Sequence, residues 1–168
     1  MGDPLDWNKS NSPYRDYDVA QICLNGHVIN SGFIDYPQYS RKHCSECGEA
    51  TINCCQECGS PIRGGYREGI STYTFPKYCE TCGKPYPWTA KSIQAAKELA
   101  SLFDILSETE KAEFVQSLQD VSSENPRTAV ATGKLRNILG KLGKDAYGLA
   151  IKVVTDVATE ATKKSLGL

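Results

Sequence analysis

Two rhythms of apolar residues divide this chain. From about Val19 to Trp88 the large aliphatics are sparse: Val19, Ile22, Val28, Ile29, Phe33, Ile34, Ile52, Ile62 and Phe75, set between Gly, Asn, Ser and Pro turns. Short apolar clusters bounded by turn signals predict brief strands. Beyond "KPYPW" the composition changes to Ala, Leu, Lys, Glu and Ser, and apolar residues recur at helical spacing. Ile93, Ala96, Ala100 and Phe103 share one face of a first helix, widened by Leu99, Leu102 and Leu106, with Thr89 as its expected N-cap.

"SETE" at Ser107–Glu110 is a capping box, so a second helix carrying Phe114, Val115, Leu118 and Val121 follows a very short connection. So short a connection predicts an antiparallel helical hairpin. "ENPR" then breaks the pattern, with Asn125 as a cap and Pro126 at the first helical position. A third helix carries Val130, Leu135, Ile138, Leu139 and Leu142, and Gly140 and Gly143 interrupt it. A last helix from about Asp145 presents Ala146, Ala150, Val153, Val157 and Ala161, with Leu149 and Val154 alongside. Small residues on that face permit close approach to another helix of the same chain or of a second copy; a stripe alone does not name its partner. The divisions expected are an N-terminal arm (1–18), tandem metal-binding ribbons (19–88), a helical hairpin (89–124) and a C-terminal amphipathic segment (125–168).

So few large aliphatics cannot hold the first half together unaided. Cysteine supplies what is missing. All eight cysteines lie between residues 23 and 82. No basic stretch followed by an apolar run opens the chain, and no run of about 18 apolar residues occurs, so the expectation is a cytoplasmic protein without a membrane span. There, clustered thiols bind metal more often than they form disulfides.

Three units have the form Cys-x-x-Cys-Gly: "CSECG" from Cys44, "CQECG" from Cys55 and "CETCG" from Cys79. Two intervening residues let one turn aim both sulfurs at a single ion, and the glycine permits a positive φ. That spacing selects Cys55 over its neighbour Cys54, which is expected to be a small buried hydrophobe. A fourth unit, "CLNGH", offers Cys23 and His27 across an Asn-Gly turn. His43, beside Cys44, is the competing imidazole but lies outside knuckle spacing.

Eight ligands make two tetrahedral sites: Cys23, His27, Cys44 and Cys47, then Cys55, Cys58, Cys79 and Cys82. The gaps within each set suit a short β-hairpin with a knuckle at either end, the zinc-ribbon plan; cross-bracing of first with third and second with fourth units is the alternative. The expected fold class is a small metal-stabilised α+β protein: two zinc ribbons followed by an α-helical half. The expected cofactor is two Zn²⁺ per chain, with iron in the Cys₄ site as the minority alternative.

With these motifs in view, the chain resembles an uncharacterised bacterial family of double zinc-ribbon proteins with a helical C-terminal tail. The resemblance rests on "CLNGH", "CSECG", "CQECGSPIRG" and "CETCGKPYPWT", then "PRTAVATGKLRNILGKLGK" and "DVATEATKKSLG". It implies a double ribbon with a helical tail and no established activity.

Charge narrows the function. Net charge is −1; residues 1–86 carry 8 basic and 10 acidic side chains. Seven thiolates and two Zn²⁺ would add about −3 more. Phosphate contacts need a basic surface, so a nucleic-acid partner is disfavoured, although Arg63, Tyr66 and Arg67 form a local basic-aromatic spot. No nucleophile–base pair, phosphate loop or His-Glu-x-x-His pattern points to an enzyme, so no catalytic residue is assigned. Residues 87–125 carry 3 basic and 7 acidic side chains, whereas residues 126–168 carry 8 and 3. Attraction between these segments would stabilise a bundle; a membrane-active tail in a bacterial defence system is the competing use of that basic stretch. The expectation is a non-enzymatic adaptor that engages a protein partner through its ribbons and tail, with self-association through the last helix as one form of that assembly.

Overall fold

A computed structural model of the chain describes residues 16–68, 73–122 and 125–167. The expected arm thus lies outside the described residues up to position 15. The chain divides into two compact units at Ala90 and Lys91, within the first helix.

Among the described residues the first unit has five short strands: β1 (Tyr17–Val19), β2 (Gln21–Cys23), β3 (Val28–Asn30), β4 (Thr51–Ile52) and β5 (Arg63–Tyr66). β2 sits between β3 and β4 in an antiparallel sheet, and β1 pairs antiparallel with β5 in a second sheet. The β2–β3 hairpin fits the ribbon expectation, with Cys23 at the end of β2 and His27 just before β3. The second segment differs. β5 follows the third knuckle but pairs with β1, from before the first, with Tyr17 opposite Tyr66. Tyr17 and Asp18 therefore belong to a strand and not to an arm. Gly64 makes this packing feasible, because a Cβ there would stand 2.4 Å from the Ser31 carbonyl oxygen.

Val19, Ala20, Ile22 and Ile62 are fully buried in this unit, and Tyr86 and Trp88 close the cluster. Trp88 stacks on Tyr86 with ring centroids 4.8 Å apart, meets Phe75 edge-on at 6.0 Å, and donates its indole N–H to the Pro76 carbonyl at 3.0 Å. Trp88 is therefore a packing residue. Val28 is exposed, while Ile29, Phe33 and Ile34 are half-buried, so the core is smaller than the pattern suggested. Polar groups fill the gap: buried Asp18 accepts from the N–H groups of Ile34 and Asp35 at 2.9 and 3.0 Å, fixing the loop after β3.

The second unit is helical: α1 (Pro87–Ser101), α2 (Glu108–Ser122), α3 (Thr128–Leu139), α4 (Lys144–Val157) and α5 (Glu160–Leu166). α1 starts two residues before the expected cap. Pro87 is tolerated in the first turn because its missing N–H would have had no helical partner. Thr89 instead donates its hydroxyl to the Lys77 carbonyl at 2.8 Å. The most extensive helix packing is between α2 and α3, not the α1–α2 hairpin foreseen. Phe114, Leu118, Val121, Leu135, Ala150 and Val154 form the centre of the core.

The α3 stripe is buried at Leu135, Ile138, Leu139 and Leu142 as expected, but Val130 is exposed, and Ala131 and Thr132 complete the buried face at its start. The last helix is two. Thr159 interrupts it, accepting from the Thr162 N–H and donating its own N–H to the Val121 carbonyl at 3.1 Å. Ala150, Val154 and Ala158 pack into this unit's own core, and Leu149 faces solvent; the Ala161 side chain lies outside the described residues. Among the described residues no helix is long and apolar enough to cross a membrane.

The capping box forms as read. The Glu110 N–H approaches the Ser107 hydroxyl at 3.3 Å, and the Glu110 carboxylate accepts from the Ser107 N–H at 2.8 Å. The same carboxylate pairs with Lys141, just past α3. Lys141 first, then the Ser107 N–H and hydroxyl, hold the Glu110 carboxyl down to about 2 from its ordinary 4.5. Its stabilising contribution is complete above pH 4.5 and is lost as pH falls through about 2. Thermal melts taken from pH 5 downward should therefore fall more steeply in wild type than in Glu110→Gln. Parallel profiles would remove Glu110 from the acid response.

Candidate metal centres

Each Cys-x-x-Cys-Gly unit folds into the same small module. The first cysteine donates its N–H to the carbonyl of Glu49, Ser60 or Lys84, and the glycine N–H returns to the first cysteine's carbonyl, all at 2.7–2.9 Å. Gly48, Gly59 and Gly83 have φ of +73°, +73° and +70°. A Cβ at any of them would meet no atom within 4 Å, so the backbone angle alone selects glycine. One antiparallel bridge clamps each module: His43 with Ala50, Cys54 with Pro61, and Tyr78 with Pro85. This arrangement explains Cys54, which occupies the clamp position that His43 and Tyr78 hold in the other modules. It is half-buried, less enclosed than expected, and stands outside both ligand groups. His43 is likewise outside them.

The structure brings Cys23, His27, Cys44 and Cys47 together, and separately Cys55, Cys58, Cys79 and Cys82. Within each group the candidate donor atoms all lie within 4.8 Å of one another, and all eight cysteines are free thiols. The pairing is sequential, not cross-braced.

The spacings carry more information than proximity. Zn–S bonds of about 2.3 Å and a Zn–N bond of about 2.05 Å in a regular tetrahedron separate sulfurs by about 3.8 Å and sulfur from nitrogen by about 3.6 Å. Cys23 and Cys47 sulfurs are 3.8 Å apart, as are those of Cys55 and Cys82, and Cys58 to Cys79 is 3.6 Å. His27 Nδ1 lies 3.5 Å from the sulfurs of both Cys23 and Cys44. These spacings fit the edges of a tetrahedron that could hold a metal ion, and are far longer than the roughly 2.05 Å of a disulfide.

Electrostatics also asks for a cation. The Ser60 hydroxyl and N–H hold the Cys58 thiol down to about 6, so it is a thiolate at neutral pH. Cys82 is pushed up to about 12: the Lys84 N–H lowers it, but burial and the sulfurs of Cys58, Cys79 and Cys55 outweigh that donor. Four thiols this close cannot all ionise unaided, and a dication lets them. Burial first, then the charges of Cys55 and Cys58, raise Cys54, which keeps it a neutral thiol. In both groups the first cysteine of each knuckle is buried, whereas Cys47, Cys58 and Cys82 are exposed. Ser60, whose hydroxyl lies 3.4 Å from the Cys58 sulfur, was not foreseen; its signal is the serine directly after "CQECG".

A family model described as "Uncharacterized protein conserved in bacteria (DUF2321)" matches residues 16–166. Neither the curated proteins nor the solved structures hold a significant match. The chain belongs to that uncharacterised bacterial family, which joins two metal-compatible cysteine clusters to a helical C-terminal half.

Proposed function

We propose that both clusters hold zinc and that the protein is a non-enzymatic, cytoplasmic adaptor whose metal-stapled ribbons present a surface to a protein partner. The observation that carries this reading is closure: each group offers four protein donors at tetrahedral spacing, which leaves no coordination position for a substrate. Soft thiolates with imidazole in a four-coordinate set suit zinc, which brings no redox chemistry. The ribbon surface suits a protein partner. Tyr17, Tyr36, Tyr39 and Tyr66 are exposed, and the Arg63 guanidinium lies 5.2 Å over the Tyr17 ring, the residue types enriched at interfaces.

Two competing uses have less support. Arg63 is paired with Glu80 at 3.1 Å and Arg67 with Asp35 at 3.5 Å, so neither is a spare cation for phosphate. A membrane-active tail needs an exposed apolar face, and Ala150, Val154 and Val157 are buried. Titration of metal-loaded protein with single- and double-stranded DNA and RNA near physiological ionic strength should show no micromolar binding. Tight binding that is lost on Arg63→Ala with Arg67→Ala would overturn the adaptor reading. A partner crosslinked through a photoreactive residue at position 39 should be lost on Tyr17→Ser with Tyr66→Ser, at unchanged metal content.

A further inference from the structure

The two centres differ by one ligand, and that ligand has a second polar atom. His27 Nδ1 faces the sulfurs of Cys23 and Cys44 at 3.5 Å, so Nδ1 is the donor and Nε2 carries the ring hydrogen. Nε2 in turn stands 3.5 Å from a carboxylate oxygen of Glu46. Glu46 sits inside the knuckle, between Cys44 and Cys47, so the turn that aims two sulfurs at the ion also delivers a carboxylate to the far side of the imidazole. A ligating imidazole whose other nitrogen faces a carboxylate is held in one tautomer and orientation, and becomes a stronger donor.

We propose that Glu46 is a positioning residue for His27, and that it sets how firmly the first centre alone retains its metal. The second centre supplies the internal comparison. Glu57 occupies the same place between Cys55 and Cys58, but all four ligands there are sulfur, so it has no ring to orient. Glu80, in the Cys79–Cys82 knuckle, is engaged by Arg63. The Glu46 side chain is 70% exposed and His27 40%, so removing the carboxylate leaves the packing of the unit alone. Loss of such an outer carboxylate weakens metal retention by 10–100-fold in general, and this exposure places the effect near about tenfold.

The proposal rests on the clusters being metal sites and is independent of what the protein binds. The experiment follows zinc transfer from the full-length, metal-loaded protein to excess chromophoric chelator at neutral pH. Wild type should release two ions in two phases. Glu46→Ala should speed one phase about tenfold and leave the other unchanged, while Glu57→Ala should change neither. Replacing the ring separates positioning from a general effect on the knuckle: in a His27→Cys background, Glu46→Ala should no longer accelerate release. No acceleration by Glu46→Ala, equal acceleration of both phases, or acceleration that persists in His27→Cys overturns the proposal. Wild-type protein that carries fewer than two ions overturns the metal reading itself.

Discussion

Chelating the metal should unfold residues 16–90 and leave most of the helix in residues 91–168 intact. The first unit buries few large side chains, with Val19, Ile22 and Ile62 its largest fully enclosed aliphatics. A structural zinc contributes on the order of 10–16 kcal/mol to folding, against about 5–15 kcal/mol for the whole stability of an ordinary domain. A contribution of that size matches the whole net stability of a domain, so loss of bound metal would be enough to unfold this unit. The helical unit has its own continuous core, and among the described residues it contributes to neither metal-compatible group. Far-UV circular dichroism should lose little signal on chelation, while the dispersed amide resonances of the strands collapse. Cys55→Ser should cost one equivalent of metal by elemental analysis, whereas Cys54→Ser, at the clamp position, should retain both. Helix lost in step with the strands would mean that the two units fold as one, and a reversal of the cysteine results would misplace the ligand.

The second large effect concerns the helical core. Phe114 is fully buried and meets Phe103 edge-on, with ring centroids 6.0 Å apart at 78°. Truncating such a residue forfeits its transfer energy and leaves a cavity, about 3–5 kcal/mol in all. Phe114→Ala should therefore sharply lower the midpoint of helix unfolding without changing metal content. Val130→Ala, at a site 60% exposed, should stay within about 0.5 kcal/mol of wild type. Similar costs for the two substitutions would show that the faces of α2 and α3 are misassigned.

That contrast shows where the sequence was readable. Knuckles are local: spacing, glycine and turn chemistry determine them within a few residues, so the grouping of Cys23, His27, Cys44 and Cys47 could be proposed from spacing alone. The capping box at Ser107 is local too. Val130 was misplaced because it stands one residue off the face: Ala131, four and seven residues before Leu135 and Ile138, takes the buried position instead. Thr89 looked like a cap because its hydroxyl competes for backbone partners; the partner it takes, the Lys77 carbonyl, comes from a distant loop. The helix break at Thr159 was hidden by the regular spacing of Ala and Val on either side. Pairing of β1 with β5 left no signal, because a three-residue strand carries almost no periodicity and its partner lies beyond three knuckles.

That pairing gives the protein a timetable on the ribosome. The first centre has its last ligand at Cys47 and its sheet is closed by Ile52, but β1 waits for Tyr66, and the second centre waits for Cys82. At roughly 5–20 residues per second, the stretch from Cys47 to Cys82 takes about 2–7 s to synthesise. Until Tyr66 is made, a nascent chain has a complete first ligand set while its earliest strand has no mate. The two ligand sets are thus completed in the order of translation, the Cys₄ set last.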